Sequence, residues 1–208
     1  MLRDFAPRLR AGRRSASERA RTALRPGTVY RRKDLAHEWP AVDRHLKQFM
    51  DQGMLKKLAG GLYYAPRQSA FGEVPAEERA LARAFLKEDD FLMFTPSLYN
   101  ALGLGSTQLY NRTLVYNHKR HGVFKLGGRE LDFRMKHRFP KKLTAEFLFV
   151  DMLNNLNELG EEREVLLARA PEKAATFDHR KLTQALTRYG SAATRKRAAE
   201  WPNVSAAA

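Results

Sequence analysis

Residues 29–64 read VYRRKDLAHEWPAVDRHLKQFMDQGMLKKLAGGLYY, and the order of signals in this stretch constrains the fold more than any other. Val29-Tyr30 is a strand too short to stand alone, so it needs a partner later in the chain. Residues 32–37 fit a helix of one to two turns in which Leu35 and Ala36 can face a core. Trp39-Pro40 closes it, because a proline disfavours helical backbone in the residue before it. Residues 41–52 then place Val42, Leu46, Phe49 and Met50 at i, i+4, i+7 and i+8, a single apolar stripe, with Gly53 where a C-cap belongs. Residues 54–64 read as strand, turn, strand, and Gly60-Gly61 permits the positive φ that a tight hairpin requires. Short helix, turn, amphipathic helix and Gly-tipped hairpin in succession are the order of a winged helix-turn-helix, which sets one helix in a DNA groove. A winged helix used only for protein contacts is the plainer reading.

Docked through its stripe, the helix over 41–52 is expected to present Arg44, His45, Lys47 and Gln48 outward. These side-chain types read base edges or hold phosphates: Arg bonds guanine with two donors, and Gln bonds adenine. Taken alone, such a helix reads first as an ordinary surface helix with solvated charges; the short helix before it and the hairpin after it shift the reading toward DNA. Arg31, Arg32, Lys33, Lys56 and Lys57 are the expected phosphate contacts. The wing tip, Ala59-Gly60-Gly61, carries no cation, so a wing contact falls to Lys56 or Lys57. Position 31 is Arg where a Ser or Thr cap would be natural. Residues 15–24 suit a first helix, capped by Ser15 or Ser17. Ahead of it Arg8, Arg10, Arg13 and Arg14, with Arg3, form a cationic arm. It reads equally as a backbone or minor-groove contact and as a tail without a role.

Charge supports a polyanionic partner. The chain of 208 residues carries a formal charge of +15, and residues 1–67 hold 16 Lys and Arg against 6 Asp and Glu. The remaining residues hold 22 against 17, so two thirds of the surplus lies on the first third of the sequence. No apolar run approaches the roughly 20 residues of a membrane span. The basic N-terminus lacks the apolar segment of a secretory signal, although its composition leaves a mitochondrial presequence open. The absence of Cys removes disulfides, thiolate nucleophiles and Cys-based zinc sites, and fits a cytoplasmic protein.

The remainder reads as a mixed domain. Residues 68–75 are rich in turn formers and are expected to be a linker. A helix over 76–86 follows, then a strand over 91–94, and Thr95-Pro96 opens a helix that Gly103 stops. Strands over 114–117, 122–126 and 129–135 form a small antiparallel sheet, with Gly127-Gly128 turning the last two. Helices are expected over 144–159, 161–168, 179–189 and 192–200. The fold class is α+β: a basic arm over 1–14, the winged helix-turn-helix over 15–67, the linker, a C-terminal domain over 76–201 and a frayed tail over 202–208.

Catalytic chemistry is hard to find. His118 and His121 lie in HKRH, where Lys119 and Arg120 repel a cation and no Cys completes a metal site. Gly103-Leu104-Gly105-Ser106 lacks the Gly-Lys-Ser/Thr of a phosphate loop, and no nucleophile elbow occurs. No catalytic residue, cofactor or metal is expected. The run of residues 136–142, KHRFPKK, gathers cations around an aromatic, so Lys136, Arg138, Lys141 and Lys142 are candidate partner contacts, with a solvated loop as the default.

The succession GLYYAP, FTPSLYNALGLGSTQLYNRTLVYN, KLGGRELDFRM and TAEFLFVDMLNNL resembles the AbiEi family of type IV antitoxins over about residues 29–159. The resemblance implies a non-enzymatic protein in two parts. Its winged helix binds repeats in its own promoter and represses the operon, and its C-terminal domain counters a nucleotidyltransferase-like toxin. It implies double-stranded DNA and that toxin as partners, with no membrane. A single small module buries limited surface, so a monomer or DNA-induced dimer on paired half-sites is expected. On this likeness the basic run over 136–142 would face a carboxylate-rich toxin active site. A DNA-binding regulator without a toxin partner, or an RNA-binding accessory protein, are the alternatives.

Overall fold

The computed structural model describes residues 16–104, 112–158 and 163–201. The arm cations Arg8, Arg10, Arg13 and Arg14, the cap at Ser15, Gly105 to Gln108, Gly160 and the tail over 202–208 lie outside the described residues. The chain is α+β and divides into two compact units, Met1–Phe85 and Leu86–Ala208.

The first unit runs α1 (Ala16–Ala23), β1 (Val29–Arg31), α2 (Arg32–Glu38), α3 (Val42–Asp51), β2 (Lys56–Ala59), β3 (Leu62–Tyr64), β4 (Arg67–Ser69) and β5 (Gly72–Val74), with α4 (Glu78–Leu86) crossing its boundary. Strand β1 finds its partner in the hairpin: Val29, Tyr30 and Arg31 lie opposite Tyr64, Tyr63 and Leu62, giving an antiparallel sheet in the order β1–β3–β2. Gly61, at φ 71°, takes the left-handed conformation of the hairpin turn, which glycine adopts without steric cost. A core of Leu35, Trp39, Val42, Leu46, Phe49, Leu55 and Tyr63 packs α2 and α3 onto this sheet. Trp39 meets Phe49 edge-on at 5.6 Å.

Both helices of this pair start without a side-chain cap. Arg31 is the N-cap of α2 and makes no capping bond, while Ala41 caps α3 at φ 52°, uncommon for a residue with a Cβ. Packing of their buried faces therefore holds these short helices rather than their ends.

Residues 68–75 are not an extended linker. Strands β4 and β5 pair around Ala70-Phe71, so the Ser and Gly that suggest a linker instead build a turn, with the Ser69 hydroxyl donating to the Gly72 carbonyl at 2.8 Å. The Tyr64 hydroxyl donates to the Val74 carbonyl at 2.6 Å, and Lys56 pairs with Glu73 at 2.5 Å, tying this hairpin to the first sheet.

The second unit contains β6 (Leu92–Phe94), a 3-10 helix (Pro96–Leu102), β7 (Thr113–Asn117), β8 (Gly122–Leu126), β9 (Arg129–Met135), α5 (Ala145–Asn154), a short 3-10 turn (Leu156–Glu158), α6 (Arg163–Ala175), α7 (His179–Tyr189) and α8 (Ala192–Ala198). Its sheet has the order β6–β7–β9–β8. The β8–β9 hairpin is antiparallel, as expected, and β6 adds to the sheet antiparallel to β7, but β7 and β9 are parallel, so the sheet is mixed. The cause is topological: β8 leaves a gap beside β7, and the Gly127-Gly128 turn returns β9 into it.

Asn117, wholly buried, makes that skipped-strand connection feasible. Its Oδ1 accepts from the Lys119 and Arg120 amides at 2.8 and 2.6 Å, and its Nδ2 donates to the Val115 and Arg120 carbonyls, each at 3.0 Å. One side chain thus satisfies backbone groups that the turn would leave unpaired. Helix α6 also differs from expectation by continuing through Pro171 to Ala175. The buried Ala170 and Ala174 anchor both sides of the interruption, so packing offsets the lost hydrogen bond. Thr144 caps α5 by accepting from the Phe147 amide at 3.1 Å. No helix among the described residues is long and apolar enough to cross a membrane.

Candidate nucleic-acid interface

Helix α3 separates its residues sharply. Val42, His45, Leu46 and Phe49 are buried, at i, i+3, i+4 and i+7, while Arg44 and Lys47 are exposed. Three residues apart, these two cations share the outer face. Neither has an ion-pair partner among the described residues, and the same holds for Lys33 on α2 and Lys57 on β2.

His45 does not point outward as expected. Position 45 is three residues beyond Val42 and falls on the stripe, where its ring stacks against Phe49 at 6.0 Å and meets Trp39 edge-on at 6.2 Å. Its Nδ1 is buried without a hydrogen-bond partner among the described residues. Gln48 is half-buried, and its Oε1 accepts from the Ser17 hydroxyl at 3.4 Å, so it faces α1. Of the four expected reading residues, Arg44 and Lys47 present free, exposed heads.

The expected phosphate contacts divide similarly. Arg31 reaches Asp34 through Nε at 2.5 Å and Nη2 at 2.6 Å. Arg32 reaches Asp43 with Nε at 2.8 Å and Nη2 at 2.6 Å. Lys56 is engaged by Glu73. These acids hold three of the cations in place and offset their charge locally, leaving Lys33, Arg44, Lys47 and Lys57 without an acid partner among the described residues. The Arg32–Asp43 pair also joins the start of α2 to the first turn of α3. Being solvent-exposed, it adds little to stability, but it holds the guanidinium on the carboxylate of Asp43.

In the second unit the residues of the basic run separate. Lys136 places Nζ 5.0 Å from the centre of the Tyr116 ring. Arg138 and Lys141 line a cleft of about 390 Å³, whereas Lys142 is exposed and does not line it. The cleft also takes in Asp90, His118, Phe139, Arg188 and Tyr189. Arg188 and Tyr189 reach the cleft from the end of α7, about fifty residues further along the sequence, so no local signal links them to the basic run. His118, weighed there as a metal ligand, stacks on Phe139 at 4.7 Å and approaches Asp90 at 3.5 Å.

Beneath the sheet lies a buried polar cluster. Asp151 on α5 is 2% exposed, and its Oδ2 accepts from the Tyr99 and Tyr116 hydroxyls at 2.6 and 2.8 Å. Asn155, one turn on, donates from Nδ2 to the Tyr116 hydroxyl at 3.3 Å. Burial pushes the Asp151 carboxyl above the usual carboxylate range, opposed by the two hydroxyl donors. Burial beside that carboxylate pushes both tyrosines up as well. The cluster is enclosed and satisfied, a rigidifying element of the core.

No protein-family model matches this chain, and no curated protein matches it. Among solved structures it is similar to the crystal structure of the RV2827C protein from Mycobacterium tuberculosis. The likeness has a TM-score of 0.52 at 13% identity, covering 91% of this chain and 74% of that one. At this identity the similarity concerns the fold alone.

Proposed function

We propose that the first unit is a winged helix-turn-helix that binds duplex DNA. In this reading α3 enters the major groove, Arg44 and Lys47 contact base edges, and Lys33 and Lys57 contact phosphates, joined by Arg31, Arg32 and Lys56 when their acids release them. The observation that carries it is the division of α3, which buries one face in the core and leaves Arg44 and Lys47 exposed on the other, without an ion-pair partner among the described residues. His45 and Gln48 take the roles of core and helix-packing residues.

With the resemblance to the AbiEi antitoxins, the proposal extends to a cytoplasmic, non-enzymatic autorepressor whose second unit counters a nucleotidyltransferase-like toxin. Lys136, Arg138, Lys141 and Lys142 are the proposed toxin contacts. Competition between duplex DNA and structured RNA at matched salt tests the nucleic-acid assignment. Duplex DNA should win, with affinity falling by a slope of about −0.9 per neutralised phosphate in log salt. Tighter RNA binding would overturn it.

A further inference from the structure

The cleft of the second unit brings together segments far apart in sequence: the residue Asp90, the turn after β7, the stretch after β9 and the end of α7. Its walls are of two kinds. Phe139 lies against the core and stacks on His118, while the Tyr189 ring packs on Phe147 at 5.2 Å. The Tyr189 carbonyl accepts from Asn154 Nδ2 at 2.9 Å, so backbone and ring are both held. The rest of the lining is largely cationic: Arg138, Lys141 and Arg188, all exposed, with His137 and one carboxylate, Asp90.

We propose that this cleft binds a phosphorylated nucleoside, free or as the phosphorylated end of an oligonucleotide. Two guanidinium forks and an ammonium suit a phosphate, which they can engage with paired, charge-assisted hydrogen bonds. The outer face of the His118–Phe139 stack, with the His118 side chain 42% exposed, offers a ring on which a base stacks irrespective of its identity. A bare inorganic anion would use the cations and leave that wall unused. Asp90, 3.5 Å from His118 Nε2 at the edge of the cleft, can accept from a sugar hydroxyl or a base amino group. The volume, about 390 Å³, lies within the range of small-ligand pockets. This site lies within the second unit and does not depend on DNA binding by the first; it shares Arg138 and Lys141 with the proposed toxin contacts, so a bound nucleotide and the toxin would compete for them.

Calorimetric titration of the full chain with AMP, adenosine and inorganic phosphate tests the proposal, alongside a short single-stranded oligonucleotide with and without a 5′-phosphate. AMP should bind more tightly than adenosine or phosphate. Arg138→Ala and Arg188→Ala, both on exposed side chains, should each weaken it by about tenfold. Phe139→Leu should reduce AMP affinity toward that of phosphate alone, and Lys33→Ala in the first unit should leave it unchanged. Binding of the phosphorylated oligonucleotide without AMP binding would assign the site to a nucleic-acid end and support the same chemistry. Failure of both to bind, phosphate binding as tightly as AMP, or arginine variants that bind AMP normally would overturn it. Because the DNA-contacting residues lie in the other unit, loss of this site would leave duplex binding intact.

Discussion

Arg32 and Asp43 lock together across the corner between α2 and α3, with both guanidinium donors seated on both carboxylate oxygens. The pair places a negative charge next to Arg44, on the surface proposed to meet DNA, and occupies a cation that would otherwise neutralise a phosphate. Asp43→Asn is therefore expected to raise affinity for duplex DNA several-fold and to steepen the log-log salt slope by about 0.9, as Arg32 becomes available. Fluorescence anisotropy titrations over a salt series measure both. An unchanged slope would mean that Arg32 does not reach the backbone.

The same pair carries a pH signature. The hydrogen bond from Arg32 holds the Asp43 carboxyl below the usual carboxylate range. Its folded-state pKa is thus lower than its unfolded value, so its stabilising contribution is complete above the unfolded value and is lost as pH falls through the lower, folded one. Because the pair is solvent-exposed the effect should be small: melting across that acid window should show at most a slightly shallower loss of stability for Asp43→Asn than for the parent chain.

His45 gives a prediction that separates core from reading head. Leucine there would keep the apolar contacts with Trp39 and Phe49 and remove the unpartnered Nδ1. His45→Leu is expected to fold at least as stably, by up to about 1 kcal/mol, and to bind DNA within twofold of the parent. A change of preferred sequence would show that His45 reads bases after all.

In the second unit, Tyr116→Phe removes a donor from Asp151 and an acceptor from Asn155. The expected cost is about 2 kcal/mol near neutral pH. Asp151 already has a folded-state pKa above its unfolded value, so ionisation costs stability as pH rises between the two. Losing the hydroxyl raises the folded value further, so the deficit should be largest above it and shrink as the carboxyl protonates at low pH. Urea unfolding at two pH values distinguishes this from a pH-independent packing defect.

The sequence carried the first unit in legible form because its signals are local. The α3 stripe, the Gly60-Gly61 turn and the need of Val29-Tyr30 for a strand partner each follow from neighbours within a few residues. What it hid were decisions taken by tertiary packing. His45 is as compatible with an outer face as with a stripe until Trp39 and Phe49 close around it. The hairpin over 67–74 resembled a linker because turn formers look alike in both, and only the bonds from Tyr64 and Lys56 distinguish them. The parallel β7–β9 pairing was invisible because it depends on a skipped strand position that Asn117 makes tolerable. Ion pairing likewise divided the candidate cations: no local pattern announces that Asp43 and Glu73 hold Arg32 and Lys56. Arg188 and Tyr189 joined the cleft from a distant helix for the same reason.

The central proposal, that α3 reads a site governing the protein's own expression, is tested most directly by a footprint of the full chain on the DNA immediately upstream of its own reading frame, run beside Arg44→Ala. The parent should protect paired half-sites about 10 base pairs apart or a multiple of that, and Arg44→Ala, still folded by circular dichroism, should lose that protection while retaining weak, salt-sensitive binding. No protected region, or the same protection with Arg44→Ala, would contradict it.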